Sequence, residues 1–458
     1  MQTFFSLRAL ADPDMAETEK ILRACVHCGF CTATCPTYLL TGDELDGPRG
    51  RIYLIKEMFE KERPADARTA RHIDRCLSCL SCMTTCPSGV HFMHLVDHAR
   101  AHIETTYRRP FVERVLRFGL AFVLPRPALS RPLFRFAAAL RPLARLLPRR
   151  LAAPFALAPS KLQPPSAVDS PQVFAAQGAR KMRVALLSGC VQTVIDTSIN
   201  EATIRLLTRH GVEVVVAKGA GCCGALPHHL GKVDDSLRYA RANIEAWWRE
   251  IENGGLDHIV VNASGCGTSV KDYGHMFRND PTLADKAAHI SAMTRDVTEL
   301  LGKVRFAPSG DAPKLRVAYH SACSLQHGQK ISQEPVELLR AAGFDVVGVP
   351  EGHICCGSAG TYNVLQPHFA GELRSRKVAN IESVAPDVVA AGNIGCIVQI
   401  RSGTPIPVVH TVELLDWASG GPPVSFPTLA TRAIGNPEQG QNSWNDSGFP
   451  VGPSVRRE

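Results

Sequence analysis

Residues 25–36 read CVHCGFCTATCP and residues 76–87 read CLSCLSCMTTCP, two copies of the run C-x2-C-x2-C-x3-C-P. Three closely spaced thiolates can wrap three irons of a cubane from one short loop. The fourth, followed by proline, is carried away to the other cluster. The pattern therefore assigns Cys25, Cys28, Cys31 and Cys86 to one [4Fe-4S] cluster, and Cys76, Cys79, Cys82 and Cys35 to a second. Structural zinc takes four ligands, usually from two C-x2–4-C pairs, and has no need of this run twice over. Between the runs, Gly50–Arg63 carries Ile52, Ile55 and Phe59 at helical spacing, and Ala65–Asp74 reads as a second helix. A β-type ferredoxin would place its motifs closer together, so an α-helical ferredoxin-like module is expected. Arg49, Arg51 and Lys56 are either cations beside a cluster or ordinary solvated helix charges.

Eight further cysteines form an internal repeat. Cys190, Cys222, Cys223 and Cys266 are matched by Cys323, Cys355, Cys356 and Cys396, with 32 positions from first to second cysteine in both halves. The surroundings repeat as well. Val184–Leu187 and Val317–Tyr319 read as strands ending near the first cysteine, and helices closing at Gly211 and Gly343 lead into VEVVV and FDVVGV strands. GCCG and ICCG follow, then long helices, then strands running into Gly-Cys. This alternation predicts two homologous α/β units with parallel strands and cysteines gathered at the strand C-termini, where open α/β sheets place their sites. The four thiols of each half suit a further iron–sulfur cluster, a zinc ion or a dithiol/disulfide pair. Gly219, Gly221 and Gly224 spell a dinucleotide fingerprint, but two intervening residues are the cysteine doublet and Pro227 interrupts the helix start.

The rest of the chain sets bounds. Its 458 residues are 45% hydrophobic and 21% charged, which excludes wholesale disorder and a multispanning membrane protein. No basic n-region with a long apolar core is present at the start, so 16 cysteines point to metal ligation in a reducing compartment. The net charge of +8 is local, because residues 108–150 hold eleven arginines against one acid, Glu113. In that stretch Leu133, Phe136, Leu140, Leu143 and Leu147 share one helical face and Arg131, Arg135, Arg145 and Arg149 the opposite one, with Pro132 suiting a helix start. Such a helix can lie on an anionic membrane surface or pack on a neighbouring domain or subunit. Nucleic acid is not expected, since base-stacking aromatics are absent. Residues 152–178 read as an Ala/Pro/Ser-rich linker and 433–458 as a disordered tail.

Several strings carry a resemblance: GDELDGPRGRIYLIKEM (42–58), AGCCGA (220–225), NIEAWW (243–248), ASGCGTSVKDYG (263–274), LQHGQK (325–330) and CCGSAGTYN (355–363), together with the two ferredoxin runs. They resemble the iron–sulfur subunits of bacterial glycolate oxidase (glycolate dehydrogenase) over about residues 1–420. More distantly, the C-terminal half is similar to cysteine-rich domains of heterodisulfide reductase, lactate-utilisation and anaerobic glycerol-3-phosphate dehydrogenase proteins. The resemblance implies an electron-transfer subunit, not catalytic by itself, that takes electrons from FAD-containing partner subunits oxidising glycolate to glyoxylate and passes them toward a membrane quinone. It also implies a cytoplasmic location, peripheral on the inner membrane. One departure stands out: heterodisulfide-type domains end in C-x-x-C and use five cysteines, whereas Ser269 and Gln399 stand where the extra cysteine would be.

The expectation is α+β overall: a helical ferredoxin domain with two [4Fe-4S] motifs (1–106), a basic connector and linker (107–180), two tandem cysteine-rich α/β domains (181–312 and 313–432), and a tail (433–458). The alternatives are an electron-transfer subunit for lactate or glycerol-3-phosphate oxidation, or a thiol/disulfide reductase working through the doublets. His320 and His327, flanking Cys323, are the other candidate site residues, as proton donors to a quinone or as packing groups.

Overall fold

The helices that frame the ferredoxin loops are started by local chemistry. Asp12 caps Pro13–Ala24, its side chain accepting from Asp14 N, and Pro13 supplies a preset first turn. Pro48–Glu60 buries Ile52, Ile55, Met58 and Phe59, and Asp66 caps Ala67–Asp74 by accepting from Thr69 N. With Phe92–Thr106 these helices enclose one apolar core that includes Leu22, Ile73, Leu95 and Ile103 together with Cys25 and Cys76. The ferredoxin module is all-helical, and its two cysteine loops hang from its core. The structure is a computed structural model describing residues 1–140, 162–310, 312–424 and 426.

Two sheets follow. The first has strand order β1-β3-β2-β4-β5, from β1 (Gln172–Phe174), β2 (Met182–Leu186), β3 (Val212–Val216), β4 (His258–Val261) and β5 (Thr294–Asp296). The second has order β7-β6-β8-β9, from β6 (Arg316–His320), β7 (Asp345–Gly348), β8 (Val388–Ala391) and β9 (Val408–His410). The parallel part of each sheet has the same order, second strand, first, third, fourth, so the repeat read from the cysteines extends to topology. The central strands β2, β3, β4 and β8 are rich in Val, Ile, Leu and Ala and mostly buried, as in a parallel sheet covered by helices on both faces. β1 is the one antiparallel addition, pairing with β3. It lies within the stretch read as a linker: Val173 and Phe174 offer two β-formers to an otherwise open edge, and the first sheet starts ahead of position 181.

The connector forms two helices, Phe111–Val123 and Pro127–Leu140. Pro132 sits inside the second one, six residues in, and does not start it. Of the arginines placed on one face, two are among the described residues: Arg131 donates to the Gln163 and Thr193 carbonyls, and Arg135 is exposed. Earlier in the connector, Arg109 and Arg117 are buried and paired with Asp74 and Glu113. Leu143, Leu147, Arg145, Arg149 and the tail 433–458 lie outside the described residues. Residues Met1–Val424 form one compact unit in which the ferredoxin module contacts both α/β units. Thr84 meets His327 of the second, and Lys232 of the first pairs with Glu104.

Candidate metal centres

Each ferredoxin loop turns by the same device. The second and fourth residues after the first cysteine take left-handed backbone: His27 (φ 56°) and Gly29 (φ 85°) in one run, Ser78 (φ 50°) and Leu80 (φ 61°) in the other. Three of these four carry a Cβ and adopt the conformation at a steric cost, a cost that a loop wrapped around a ligand can repay. The first loop and Cys86 of the second line one cavity, formed by Cys25, Cys28, Cys31 and Cys86 with Arg49, Cys82 and Phe92. Burial, then the neighbouring Cys25, Cys86 and Cys35, pushes the Cys31 thiol up to about 11. Cys35 leaves the first loop as the cap of the Pro36–Thr41 helix and comes into electrostatic range of Cys79 and Cys82. Burial and those neighbours raise both thiols. A nest of thiols that cannot all ionise together suits a cation that deprotonates them, and the donors are the soft thiolates that iron–sulfur clusters use. The residues present fit two clusters with exchanged ligands.

A buried polar network backs the second set. Arg51 is 1% exposed; its Nη1 lies 3.8 Å from Cys35 Sγ, its Nη2 donates to Thr37 Oγ1 at 2.9 Å, and its Nε to the His72 carbonyl at 2.8 Å. Asp46, fully buried, binds His72 Nδ1 and Arg75 Nη1, each at 2.7 Å. Arg49 lines the first cavity and donates to the Glu44 carboxylate. Lys56 instead pairs with Glu60. Of the three cations singled out in the sequence, two are at centres.

The doublets are built alike in both units. Gly224 N and Gly357 N each donate to the first sulfur of the doublet, Cys222 Sγ and Cys355 Sγ, at 3.4 Å. Both glycines have φ near +85°, and a Cβ on either would sit 2.7 Å from a carbonyl of the long helix behind, Ser236 O or Ala370 O. The doublet loop therefore needs its third residue to be glycine. The thiols form a chain of contacts, Cys190–Cys222–Cys223–Cys266 in one unit and Cys323–Cys355–Cys356–Cys396 in the other, with Cys323 Sγ 3.8 Å from Cys355 Sγ. No disulfide joins any of the sixteen cysteines. Cys266 and Cys396 stand in the first turns of Ser264–Lys271 and Ile394–Arg401, just past β4 and β8. Ser269 and Gln399 lie one turn further on; Gln399 donates to the Ala370 carbonyl and braces the helix instead of offering a thiol.

His320 ends β6 and is fully buried, and desolvation pushes its imidazole down to about 3, so it is neutral. His327 holds Thr84 Oγ1 at 2.8 Å and joins the ferredoxin loop to the second unit. Sequence reasoning missed the most consequential neighbour relation. Leu77 and Cys79 of the second ferredoxin loop pack with Ile354, Cys355 and Tyr362, with Cys323 against the same cluster. The thiol sets thus follow one another in contact: the first ferredoxin set meets the second at Cys82, and the second meets the second α/β unit at Cys79. Nothing in the spacing of the cysteines encodes which repeat docks there. The other doublet opens on a groove of about 500 Å³ between Cys222, Tyr239 and Asn243 and the turn Pro125–Leu129 of the connector.

The connector helices carry the largest apolar exposure. Phe111, Val112, Val115, Phe118, Phe122, Leu129, Leu133 and Phe136 are eight of the fifteen exposed large hydrophobic side chains among the described residues. Phe111, Val115, Phe118 and Phe122 recur at helical spacing, as do Leu129, Leu133 and Phe136. No helix among the described residues is long and apolar enough to cross a membrane.

Comparisons with known proteins agree with this layout. A 4Fe-4S dicluster domain matches residues 21–90, and a cysteine-rich domain matches twice, at 184–271 and 317–401. The chain is 43% identical to the glycolate oxidase iron–sulfur subunit of Escherichia coli, over 91% of this chain and 99% of that one. It is 30% identical to a probable glycolate oxidase iron–sulfur subunit of Bacillus subtilis, over 86% and 94% of the two chains. Lactate utilization protein A of Bacillus licheniformis is 29% identical over 51% of this chain.

Proposed function

Because this chain belongs to the family of glycolate oxidase iron–sulfur subunits, we propose that it relays electrons from FAD-containing partner subunits, where glycolate becomes glyoxylate, toward a membrane quinone. The observation that carries this reading is the unbroken contact from the first thiol set through the second to the doublet of the second α/β unit, by way of Cys79, Cys323 and Cys355. A cluster changes charge by one electron with little rearrangement, and burial, hydrogen bonds and nearby cations set its potential. Cys25, Cys28, Cys31 and Cys86 hold one [4Fe-4S] cluster, and Cys76, Cys79, Cys82 and Cys35 hold the other. The two later sets, Cys190, Cys222, Cys223, Cys266 and Cys323, Cys355, Cys356, Cys396, hold further metal centres.

The connector is the membrane contact in this reading. Its exposed phenylalanines and leucines enter the interfacial layer, and Arg108, Arg114 and Arg135, exposed and without a partner among the described residues, face anionic headgroups of the cytoplasmic leaflet.

The test is anaerobic purification of the chain alone and with its partners. The chain alone is expected to hold about eight irons in the ferredoxin module, with further iron or zinc in the repeats. It should not oxidise glycolate alone; the complex should reduce quinone with glycolate as donor. Turnover by the isolated chain, or a complex that takes lactate and not glycolate, would overturn the respective part of the reading.

A further inference from the structure

His320 is 2% exposed, and neither its Nδ1 nor its Nε2 has a hydrogen-bond partner. Buried polar atoms are nearly always satisfied, and each one left bare costs about 1–3 kcal/mol. The ring does not sit in purely apolar packing. One ring nitrogen, Cys356 Sγ and Cys396 Sγ all lie within 4.8 Å of one another, close enough for one ion to bridge. Donors of a tetrahedral thiolate–imidazole site are spaced by roughly 3.5–4 Å, given metal–sulfur and metal–nitrogen bonds of about 2.3 and 2.0 Å.

A second buried group points to the same place. Lys377 is 1% exposed, and its Nζ donates to the Glu351 carbonyl at 2.9 Å while facing Cys356, Cys355 and Cys396. An ammonium kept in the interior beside thiols compensates the negative charge of a metal–thiolate centre. In the first unit the corresponding loop is held by a neutral group: Asn243 accepts from Gly221 N and donates to the Cys222 carbonyl.

The repeat supplies an internal control. Three residues before the first cysteine, the second unit has His320 and the first has Leu187. Leu187 is buried in the cluster that contains Cys223 and contacts Cys266, the counterparts of Cys356 and Cys396. The equivalent position therefore carries an imidazole near the sulfurs in one unit and a buried isobutyl group in the core of the other.

We propose that His320 is a ligand, with Cys356 and Cys396, of the metal centre in the second cysteine-rich unit, whereas the first unit's centre is bound by thiolates alone. This rests on reading the doublets as metal ligands. The metal is thiophilic: iron of an iron–sulfur centre, or zinc. If it is iron, a neutral imidazole in place of a thiolate makes the centre less negative and raises its potential, as histidine ligation does elsewhere. The centre touching the second ferredoxin set would then be the better electron acceptor of the two repeats.

The test uses the full chain, enriched in 57Fe and purified anaerobically, with iron and zinc counted per chain. Mössbauer spectra read iron centres whether or not they are paramagnetic, and zinc K-edge absorption reads the zinc. The wild type should show one imidazole-bound metal site per chain. His320→Leu, which installs the residue that the first unit already accommodates, should lose it. His320→Cys should keep the metal content and lose the nitrogen signature. Extra metal bound by sulfur alone, or a signature that survives in His320→Leu, overturns the assignment of His320. No metal beyond the eight irons of the ferredoxin module overturns the parent reading of the doublets as well.

Discussion

Cys79 of the second ferredoxin loop and Cys355 of the second cysteine doublet share one buried cluster, with Leu77, Ile354 and Tyr362 sealing them from water. No such contact links the first doublet to a ferredoxin cysteine among the described residues. Replacing Cys355 and Cys356 by serine is therefore expected to slow glycolate-driven quinone reduction by the complex at least tenfold. The EPR signals of the ferredoxin clusters should persist. The same change at Cys222 and Cys223 should cost less, and an equal or larger loss there would sink the proposed order.

Arg51 brings a buried positive charge and an N–H donor to Cys35, a ligand of the proposed second cluster. Both favour the reduced, more negative cluster. Arg51→Met should lower that cluster's potential. A hydrogen bond involving a charged group is worth about 1.5–3 kcal/mol, or roughly 60–130 mV for one electron. Redox titration followed by EPR reads the shift. The variant should also melt lower, because Asp46 loses one of its cations inside the core.

Why the sequence disclosed some of this and not the rest has a physical answer. The ferredoxin loops were legible because cluster ligation fixes cysteine spacing, and the repeat because both doublets obey one steric requirement at Gly224 and Gly357. Helical and strand periodicities located the elements to within a few residues. β1 was missed because a three-residue edge strand leaves almost no pattern. Arg131 looked like one of four arginines on a polar helix face, since a helical wheel cannot show that it reaches the Thr193 carbonyl. Lys377 was invisible for the same reason: its meaning lies in long-range packing beside Cys356.

Gly224 and Gly357 make a sharp stability prediction. Alanine at either position meets a left-handed backbone, costing about 1–2 kcal/mol, and a carbonyl 2.7 Å from the new Cβ that belongs to a helix and cannot step aside. Each substitution should lower stability by about 2–4 kcal/mol and reduce metal content in its own unit only. Metal analysis of the two variants checks both parts.

The connector prediction concerns binding and not folding. Phe118 and Phe122 stack on each other at 5.7 Å while remaining exposed, and Phe136 is exposed on the second helix. Changing all three to serine should leave the melting temperature within about 2 °C, since substitutions at exposed sites usually cost little. Sedimentation with anionic vesicles should fall at least fivefold. Binding by the wild type should weaken with salt, as the contribution of arginines to an anionic surface requires. Unchanged sedimentation of the triple variant would assign the apolar face to a partner subunit.

Glu413 ties the two α/β units together, accepting from Ser198 Oγ of the first at 2.8 Å and from His410 N at 2.7 Å. Burial, then the neighbouring Asp196, raises its carboxyl from 4.5 to about 7. An acid whose folded value lies above its unfolded value holds its proton longer in the native state. Native Glu413 therefore binds more protons than the unfolded chain between about pH 4.5 and 7, and stability from this group falls as pH rises through that window. Glu413→Gln keeps an acceptor for both donors and removes the titration. Its melting temperature relative to wild type should rise from pH 5 to about pH 7 and level off above that. A difference that stays flat across this range would mean that Glu413 is ionised in the folded protein throughout.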